Sequence, residues 1–339
     1  MTVSLRLNND VESSALLDLA RAAESAGFDQ LWVSNDLMIR SAPVLLGALA
    51  TATSRIELGI GIANPYTTHP AEIAMMAATM QELSGGRFRL GLAAGAAEFL
   101  GWVGIPQPTP LTTTREAFRA IKALLEGGRP IDVPGAGSGW AEEAYLRVPP
   151  VPTPISIGAM SPKMVAFAAQ EADGVLALLF PPEHFTVVRE QVEAAAAEVG
   201  RDLTGFDLPA CVWLSVDADQ AVADRALAHK LAYYGSAFSP YLLARAGLSR
   251  DDFAGIDATL RAGDPEGAAD QVTPAMLRLG ISGDPDAVVA RCLTLLESGV
   301  EHLSFGPPLG ADPVAAVELI GEAVLPRLTL RSRSTGVTV

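Results

Sequence analysis

The segment IELGIGIANPYTTHP, residues 56–70, joins a strand, a rigid loop and the start of a helix in one short stretch. The alternation of apolar residues through Ile56–Gly61 is typical of a β-strand. Asn64 and Pro65 fix the turn that follows, and Pro70 suits the first turn of a helix. This strand–loop–helix unit is the building block of proteins with a parallel sheet.

Similar units recur along the chain, where short β-branched runs alternate with longer segments of helical periodicity. An open doubly wound sheet is the main alternative to a barrel, but it requires an early glycine fingerprint, and Leu7–Asp10 contains no glycine. Eight strands instead predict one α/β domain, a (β/α)₈ TIM barrel. The predicted strands are Val3–Leu7, Gln30–Val33, Ile56–Gly61, Phe88–Ala93, Pro154–Gly158, Gly174–Leu179, Phe206–Val216 and His302–Phe305.

We expect residues 1–330 to form this single barrel, with a helical insertion at about 219–280 between strands seven and eight. The pattern of Asp219–Arg245 is strongly helical, whereas Gly247–Gly280 is polar, glycine-rich and interrupted, so it reads as an insertion outside the core. The tail Arg331–Val339 is predicted to be frayed.

The composition argues against nucleic acid and membranes as partners of the protein. The net charge of −15 repels nucleic acid, and no apolar run is long enough to span a membrane. The N-terminus lacks the pattern of a signal peptide, which predicts a cytoplasmic protein. The expected partner is a small-molecule or peptide substrate. Cys211 and Cys292 are far apart and lie in apolar segments, so we expect buried thiols and no metal site.

In a barrel, functional residues follow the C-terminal ends of strands. Loop polarity or helix capping would also explain Ser34–Asp36, and His69 is equally compatible with the start of a helix. The candidates from the first three strands are Arg6, Asn8, Asn9, Ser34, Asn35, Asp36, Ala63, Asn64, Tyr66 and His69.

The fifth unit contains a candidate anion site, because a glycine turn leads into a helix start beside a lysine, in a chain with only three lysines. Free backbone N–H groups, a serine hydroxyl and a lysine there would converge on a phosphate. A well-capped helix is the alternative, but phosphate sites in barrels use loops of the second half. The residues concerned are Gly158, Ala159, Met160, Ser161, Pro162 and Lys163.

Several catalytic motifs are absent from the sequence: the Gly-x-Ser-x-Gly elbow, His-Glu-x-x-His and the Walker loop. The predicted strand ends are mostly apolar or amide. Such an environment favours a planar cofactor that brings its own reactivity over hydrolysis by side chains.

A series of short motifs, in order over nearly the whole chain, resembles the bacterial luciferase-like superfamily. The resemblance is strongest to the branch that contains coenzyme F420-dependent methylenetetrahydromethanopterin reductase. The motifs are Ala26–Asp29, Leu31–Val33, Gly61–Tyr66, Glu82–Arg87, Thr114–Ala117, Gly158–Pro162, Ala172–Gly174 and Gly283–Asp286.

The resemblance implies a TIM barrel, a homodimer and the deazaflavin F420 bound at the strand C-termini. It also implies a cis peptide between Gly61 and Ile62 behind the deazaflavin ring, an amide from Asn64 near that ring, and a phosphate held by the Gly158–Lys163 loop. The full set of implied cofactor-binding residues is Asn35, Gly61, Ile62, Ala63, Asn64, Gly158, Ala159, Met160, Ser161, Pro162 and Lys163.

The chain departs from the pterin reductases at two strand ends. Arg6 stands where they have a glutamate, and Asn35-Asp36 stands where the family has Asp-His. A guanidinium stays protonated and cannot replace an acid, so we expect the cofactor without the pterin substrate. Arg6 is the candidate for holding an anionic substrate, and Asp36 is a candidate proton donor if apolar Leu37 and Met38 shield its carboxyl group.

The predicted activity is F420-dependent hydride transfer between C5 of the deazaflavin and an activated C=C, C=N or C=O bond of a small-molecule or natural-product substrate. One alternative is an FMN-dependent monooxygenase of the same superfamily, and another is a non-catalytic barrel that binds a cofactor or partner. Whether Arg225, His229 and Lys230 contact a polyglutamate tail stays open.

Overall fold

The computed structural model describes residues 1–238 and 240–334, and a closed parallel sheet lies at its centre. The ring order is β1–β2–β3–β4–β5–β6–β7–β9, closed by the pairing of β9 with β1. The predicted TIM barrel is therefore confirmed. The strands are β1 (Thr2–Leu7), β2 (Gln30–Val33), β3 (Glu57–Ala63), β4 (Phe88–Leu92), β5 (Ile155–Gly158), β6 (Gly174–Leu178), β7 (Pro209–Val216), β8 (Ile281–Gly283) and β9 (His302–Leu309).

Helices surround the ring and bury their apolar faces on it. Several begin with proline in the first turn, as the sequence predicts. They are α1 (Ser13–Ala26), α2 (Ala42–Ala52), α3 (Pro70–Ser84), α4 (Ala97–Trp102), α5 (Pro110–Leu125), α6 (Pro162–Glu171), α7 (Phe185–Glu198), α8 (Gln220–Tyr234), α9 (Pro240–Arg245), α10 (Ala254–Arg261), α11 (Pro265–Asp270), α12 (Pro274–Leu277), α13 (Pro285–Glu297), α14 (Pro313–Leu319) and α15 (Leu325–Ser334).

The sequence missed two short elements. Strand β8 pairs with the end of β7, with Leu214 opposite Ile281 and Val216 opposite Gly283. Helix α4 lies in the loop after β4. Both are too short for hydrophobic periodicity to reveal them.

The described residues of 247–280 take no part in the main barrel core, but they contribute to a second hydrophobic cluster. The segment contributes Phe253, Ile256 and Leu279 to this cluster, which also contains Trp213 of β7. In the sequence, glycines and polar residues separate these apolar positions, so hydrophobic periodicity does not reveal the cluster. It forms only when distant parts of the chain meet. Helices α8–α12 thus pack on the end of the barrel between β7 and β8.

The lower part of the barrel lumen, near the strand N-termini, is filled by hydrogen-bonded polar side chains. Trp32 Nε1 donates to Gln30 Oε1 over 2.9 Å, and Gln30 Nε2 donates to Glu57 Oε2 over 2.9 Å. Arg89 Nε donates to the same Glu57 carboxylate over 2.5 Å. Its guanidinium also lies 3.8 Å from Asp207 Oδ2.

The chain of contacts continues on the other side of the lumen. Asp207 Oδ1 is 2.7 Å from His302 Nδ1, and His302 Nε2 is 2.8 Å from Ser4 Oγ. Ser4 in turn donates to Ser304 Oγ over 2.8 Å. Buried polar groups are stabilising only when partnered, and here the partners link β1, β2, β3, β4 and β9 through the barrel interior.

Cys211 and Cys292 are buried free thiols, as predicted. Among the described residues, no helix has the length and apolarity needed to cross a bilayer, and no acidic, histidine or cysteine cluster has metal-binding geometry. Helix α15 continues to Ser334, so the first part of the tail predicted to be frayed is helical, and residues 335–339 lie outside the described chain.

Candidate active site

The upper end of the lumen has a floor built around β3. The peptide bond between Gly61 and Ile62 is cis, at the position that the sequence resemblance implies. Below it, a Cβ on Gly59 would lie 2.3 Å from the Trp32 ring. The first of the paired glycines therefore accommodates a flat indole, and the second carries the unusual peptide.

Glycines on the neighbouring strands leave space for the Ile62 side chain. A Cβ on Gly91 would lie 3.2 Å from Ile62 Cγ2, and one on Gly158 would lie 3.4 Å from it. The centre of the mouth is thus lined by backbone and by the branched side chains of Ile62 and Leu176, whose Cδ1 would lie 3.1 Å from the same Cβ on Gly91. A floor of this kind fits the flat face of a tricyclic ring, because no side chain rises from Gly61, Gly91 or Gly158 to obstruct it.

Asn64 holds two loops together beside this floor. Its side chain is only 8% exposed. Its Nδ2 donates to Ala94 O over 2.9 Å, and its Oδ1 accepts from Tyr66 N over 2.9 Å. The Asn64 amide therefore connects the loop after β3 to the loop after β4, and Ala63 O accepts from Ala93 N at the same junction.

The loops after β1 and β2 are joined by Asn9, which is fully buried. Asn9 Nδ2 donates to the carbonyl oxygens of Asp36 and Arg40 over 3.0 and 2.7 Å. Its Oδ1 accepts from Ser34 Oγ over 2.9 Å. Asn9 and Ser34 are thus loop-positioning residues, and they place the half-buried Asn35 at the mouth.

Asp36 lies at the mouth, but the apolar shielding expected for it is not found among the described residues. Its side chain is exposed, and neighbouring Met38 is 79% exposed. The Asp36 carboxylate accepts a hydrogen bond from Ser34 Oγ over 3.0 Å. Leu37 is half-buried and Met38 is exposed, so these two side chains do not enclose the Asp36 carboxylate.

Arg6 enters the lumen just below the mouth. Its Nη2 donates to Val212 O over 2.8 Å and to Ser304 O over 3.4 Å. Its Nε is inaccessible to solvent and has no acceptor among the described residues. Burial lowers the pKa of the guanidinium. A buried donor without an acceptor costs free energy, and a ligand that accepts its hydrogen bond would remove that cost.

Gly306 makes this arrangement possible. A Cβ on Gly306 would lie 2.7 Å from Arg6 Nη2. The glycine on β9 thereby leaves the room that the guanidinium on β1 occupies.

The predicted phosphate loop forms the expected helix start. Ser161 Oγ accepts from Met164 N over 3.4 Å and caps α6, with Pro162 in the first turn. Ala159 N already donates to Leu176 O over 3.1 Å, whereas Met160 and Lys163 are exposed. The structure is therefore compatible with both interpretations of this loop: the helix is capped, and its N-terminus is open with a lysine beside it.

His69 caps the start of α3, which is the structural interpretation of this residue and not the catalytic one. Its Nδ1 accepts from Ala71 N over 3.2 Å at the start of α3, and its ring lies 5.2 Å from that of Trp140. Tyr66 donates to the carbonyl oxygen of Pro108 and so fixes the loop before α5.

Sequence reasoning missed Lys230 as a mouth residue. Its Nζ lies 4.5 Å from the Tyr234 ring centroid and 5.3 Å from that of Trp213. By contrast, Arg225 pairs with Asp270 and Glu266, and His229 lies 3.4 Å from the Glu266 carboxylate. Arg225 and His229 thus share the Glu266 carboxylate, whereas Lys230 packs on aromatic rings. The scarcity of lysine was the signal in the sequence that pointed to Lys230.

Comparison with known proteins gives relatives that span nearly the whole chain. The 5,10-methylenetetrahydromethanopterin reductase of Archaeoglobus fulgidus is 36% identical over 91% of this chain and 94% of its own. The F420-dependent glucose-6-phosphate dehydrogenase of Beutenbergia cavernae is 29% identical over 94% of each.

Solved structures agree with these relatives. The coenzyme F420-dependent tetrahydromethanopterin reductase of Methanopyrus kandleri superposes with a TM-score of 0.85 at 30% identity, covering 96% of this chain and 98% of that one. An F420-dependent secondary alcohol dehydrogenase shares the fold, with a TM-score of 0.76 at 20% identity. The profile of the luciferase-like monooxygenase family matches residues 3–302. The chain therefore belongs to the luciferase-like monooxygenase family.

Proposed function

We propose that this protein is an F420-dependent oxidoreductase. In this proposal hydride passes between C5 of the deazaflavin and an activated C=C, C=N or C=O bond of a small-molecule or natural-product substrate. The observation that carries the proposal is the flat floor at Gly61–Ile62, between Gly91 and Gly158, at the ligand-binding end of the barrel. F420 appears in the names of curated relatives and of structural neighbours.

The residues fit the cofactor at both of its ends. Gly61, Ile62 and Ala63 would lie beneath the ring, with Asn35 and Asn64 at its edge. The exposed start of α6, from Gly158 to Lys163, would hold the phosphate, because first-turn N–H groups and a lysine favour an anion. When bound, F420 would supply the hydride donor or acceptor, which the side chains of the mouth do not provide.

The protein would then orient the substrate and stabilise its charge. Arg6 is the proposed anion-binding group, since its buried Nε has an unused hydrogen. Asp36 is close to the mouth and exposed, so in this proposal it exchanges a proton with water and the substrate without being enclosed.

We propose a substrate other than the pterin that appears in the names of the reductase relatives. The family resemblance implies a glutamate in those enzymes at the position of Arg6, so the charge beside the reacting atoms would be reversed here. The relative at 36% identity is named as a pterin reductase, so the decisive comparison is between the pterin and other acceptors with the same cofactor preparation.

Anaerobic titration of the purified protein with F420 and, separately, with FMN tests the cofactor. We expect saturable quenching of F420 fluorescence with a micromolar or lower Kd and at least about tenfold weaker FMN binding, because relatives at 29% and 30% identity carry F420 in their names. Preference for FMN would support the monooxygenase alternative. Binding of neither would support a non-catalytic barrel.

We also propose a cytoplasmic homodimer in which residues 1–330 act as one unit, with 219–280 as an insertion. The support for a dimer is exposed apolar surface on α2 and α3, where Val44 is 72% and Met75 is 50% exposed. Light scattering of the wild type and of Val44→Glu would test the assembly.

A further inference from the structure

A second cation lies across the barrel mouth from Arg6. Lys230 is in the third turn of α8, and its Nζ is 4.5 Å from the centroid of the Tyr234 ring and 5.3 Å from that of Trp213. Lysine normally extends its ammonium group into bulk water. Contact with two aromatic faces instead holds this charge in one place.

The position of Trp213 on β7 places this charge near the mouth. The carbonyl oxygen of the neighbouring Val212 accepts from Arg6 Nη2 over 2.8 Å, and Trp213 lies opposite Gly306 in the sheet.

Lys230 interacts with Asp10, Asp36 and Arg6, which lie on or just after β1 and β2. Tyr234, one turn later, interacts with Asp10 and Asp36 as well. Burial is the main effect on Lys230, and it lowers the pKa of the ammonium group.

The two aspartates do not satisfy this pair of cations. Asp10 and Asp36 are both exposed, so water screens their charges. Arg6 Nε, in contrast, is buried without an acceptor among the described residues. The mouth therefore has a partly desolvated positive site between Arg6 and Lys230, walled by Trp213, which is 7% exposed.

We propose that Lys230 and Arg6 together bind an anionic group of the substrate, and that the substrate is an unsaturated acid whose carboxylate is conjugated to the bond that is reduced. This inference rests on the proposed function and adds to it the class of substrate. The aromatic wall of Trp213 and Tyr234 would contact the apolar part of the same molecule.

The chemistry of such an acceptor explains the need for two cations. Hydride from reduced F420 would add to the β-carbon, and the π electrons would move to the α-carbon and the carboxylate oxygens. A proton from water would then bond to the α-carbon, and the proton that the cofactor releases on oxidation would neutralise the hydroxide, which leaves the saturated acid and oxidised F420. The extra negative charge forms on the carboxylate, where a guanidinium and an ammonium stabilise it more than they stabilise the starting acid.

The small number of lysines makes a direct test possible. Reductive methylation with ¹³C-formaldehyde labels Lys122, Lys163, Lys230 and the amino terminus, and the resulting dimethylammonium groups keep their charge. Lysine-to-arginine variants assign each NMR signal. Fumarate is the probe, and neutral fumaramide is the matched control.

We expect fumarate, but not fumaramide, to shift the Lys230 signal saturably while the Lys122 signal stays fixed, since Lys122 is remote on α5. Lys230→Met should weaken fumarate binding at least about tenfold. Lys230→Arg should keep it within about threefold because it restores the charge. Lys122→Met should bind like the wild type.

The titrations are run with and without oxidised F420, whose own binding is measured by fluorescence in every variant. An unmoved Lys230 signal, or wild-type fumarate affinity in a Lys230→Met protein that still binds F420, would overturn the inference. Failure of the wild type to bind F420 would overturn the proposed function instead, and the fumarate data without cofactor would still decide the role of Lys230.

Discussion

The two ends of the barrel lumen use polar residues in opposite ways. At the lower end, Glu57, Arg89, Asp207 and His302 contact one another in a continuous series, with distances of 2.5 to 3.8 Å. At the upper end, glycines replace side chains, and Arg6 keeps a buried N–H without an acceptor among the described residues.

This difference separates stability from binding. In the lower lumen the polar groups are paired with one another, and the one atom of the series without a hydrogen bond among the described residues, Asp207 Oδ2, still lies 3.8 Å from the Arg89 guanidinium. The upper lumen instead offers a ligand a buried donor and open backbone. The lower lumen is therefore where substitutions should unfold the protein. The upper lumen is where they should change affinity.

The largest expected effect is at the boundary between the two ends. Gly59→Ala places a methyl group 2.3 Å from the Trp32 ring, and the resulting overpacking should cost about 3 kcal/mol of unfolding free energy. Urea unfolding measures the loss. Gly47→Ala is the control, because nothing lies within 4 Å of its new Cβ. Equal stability of the two variants would contradict the packing argument.

Arg89→Met tests the lower lumen itself. The change leaves the carboxylates of Glu57 and Asp207 without their shared cation, whose side chain is 23% exposed. We expect a loss of about 2 kcal/mol in unfolding free energy. Arg21→Met removes an exposed pair with Asp18 and should cost less than about 0.5 kcal/mol. Chemical denaturation of both proteins compares the two environments.

The pH dependence of the unfolding free energy tests another satisfied polar group, the carboxylate of Glu24. Burial raises the pKa of its carboxyl group, but hydrogen bonds from the backbone N–H groups of Ile56, Arg55 and Ser54 outweigh burial and lower that pKa from 4.5 to about 2. A carboxylate with a lowered pKa stabilises the fold above its unfolded pKa, and the contribution is lost as pH falls from 4.5 towards 2.

Glu24→Gln should therefore destabilise the protein by about 1–2 kcal/mol near pH 7, discounted for solvent screening. The difference from the wild type should shrink as pH falls through that window. Urea titrations at a series of pH values give the measurement. A difference that does not depend on pH would argue against these backbone hydrogen bonds.

The smallest effect is expected at the upper rim. Lys163→Ala removes an exposed charge at the start of α6 and should raise the Kd for F420 about fivefold, with a weaker salt dependence. Lys122→Ala, on the other side of the barrel wall, should leave that Kd unchanged. Unfolding free energy should stay within about 0.5 kcal/mol for both variants.

Much of the fold and part of the site followed from the order of residues. The start of α1 at Ser13, the proline at the start of α3 and the eight barrel strands were all predictable, because periodicity and capping are local properties. The cis peptide at Gly61–Ile62 and the family were predictable through resemblance to known proteins.

The sequence by itself therefore determined the barrel, its family and the positions of its strand-end loops, since each depends on short-range pattern. Only the tertiary structure decided that Asp36 is exposed, that Asn9 and Asn64 hold loops together, and that Lys230 packs on Trp213 and Tyr234. Such roles depend on which side chains meet across the barrel, and residues far apart in sequence meet there only after the sheet has closed.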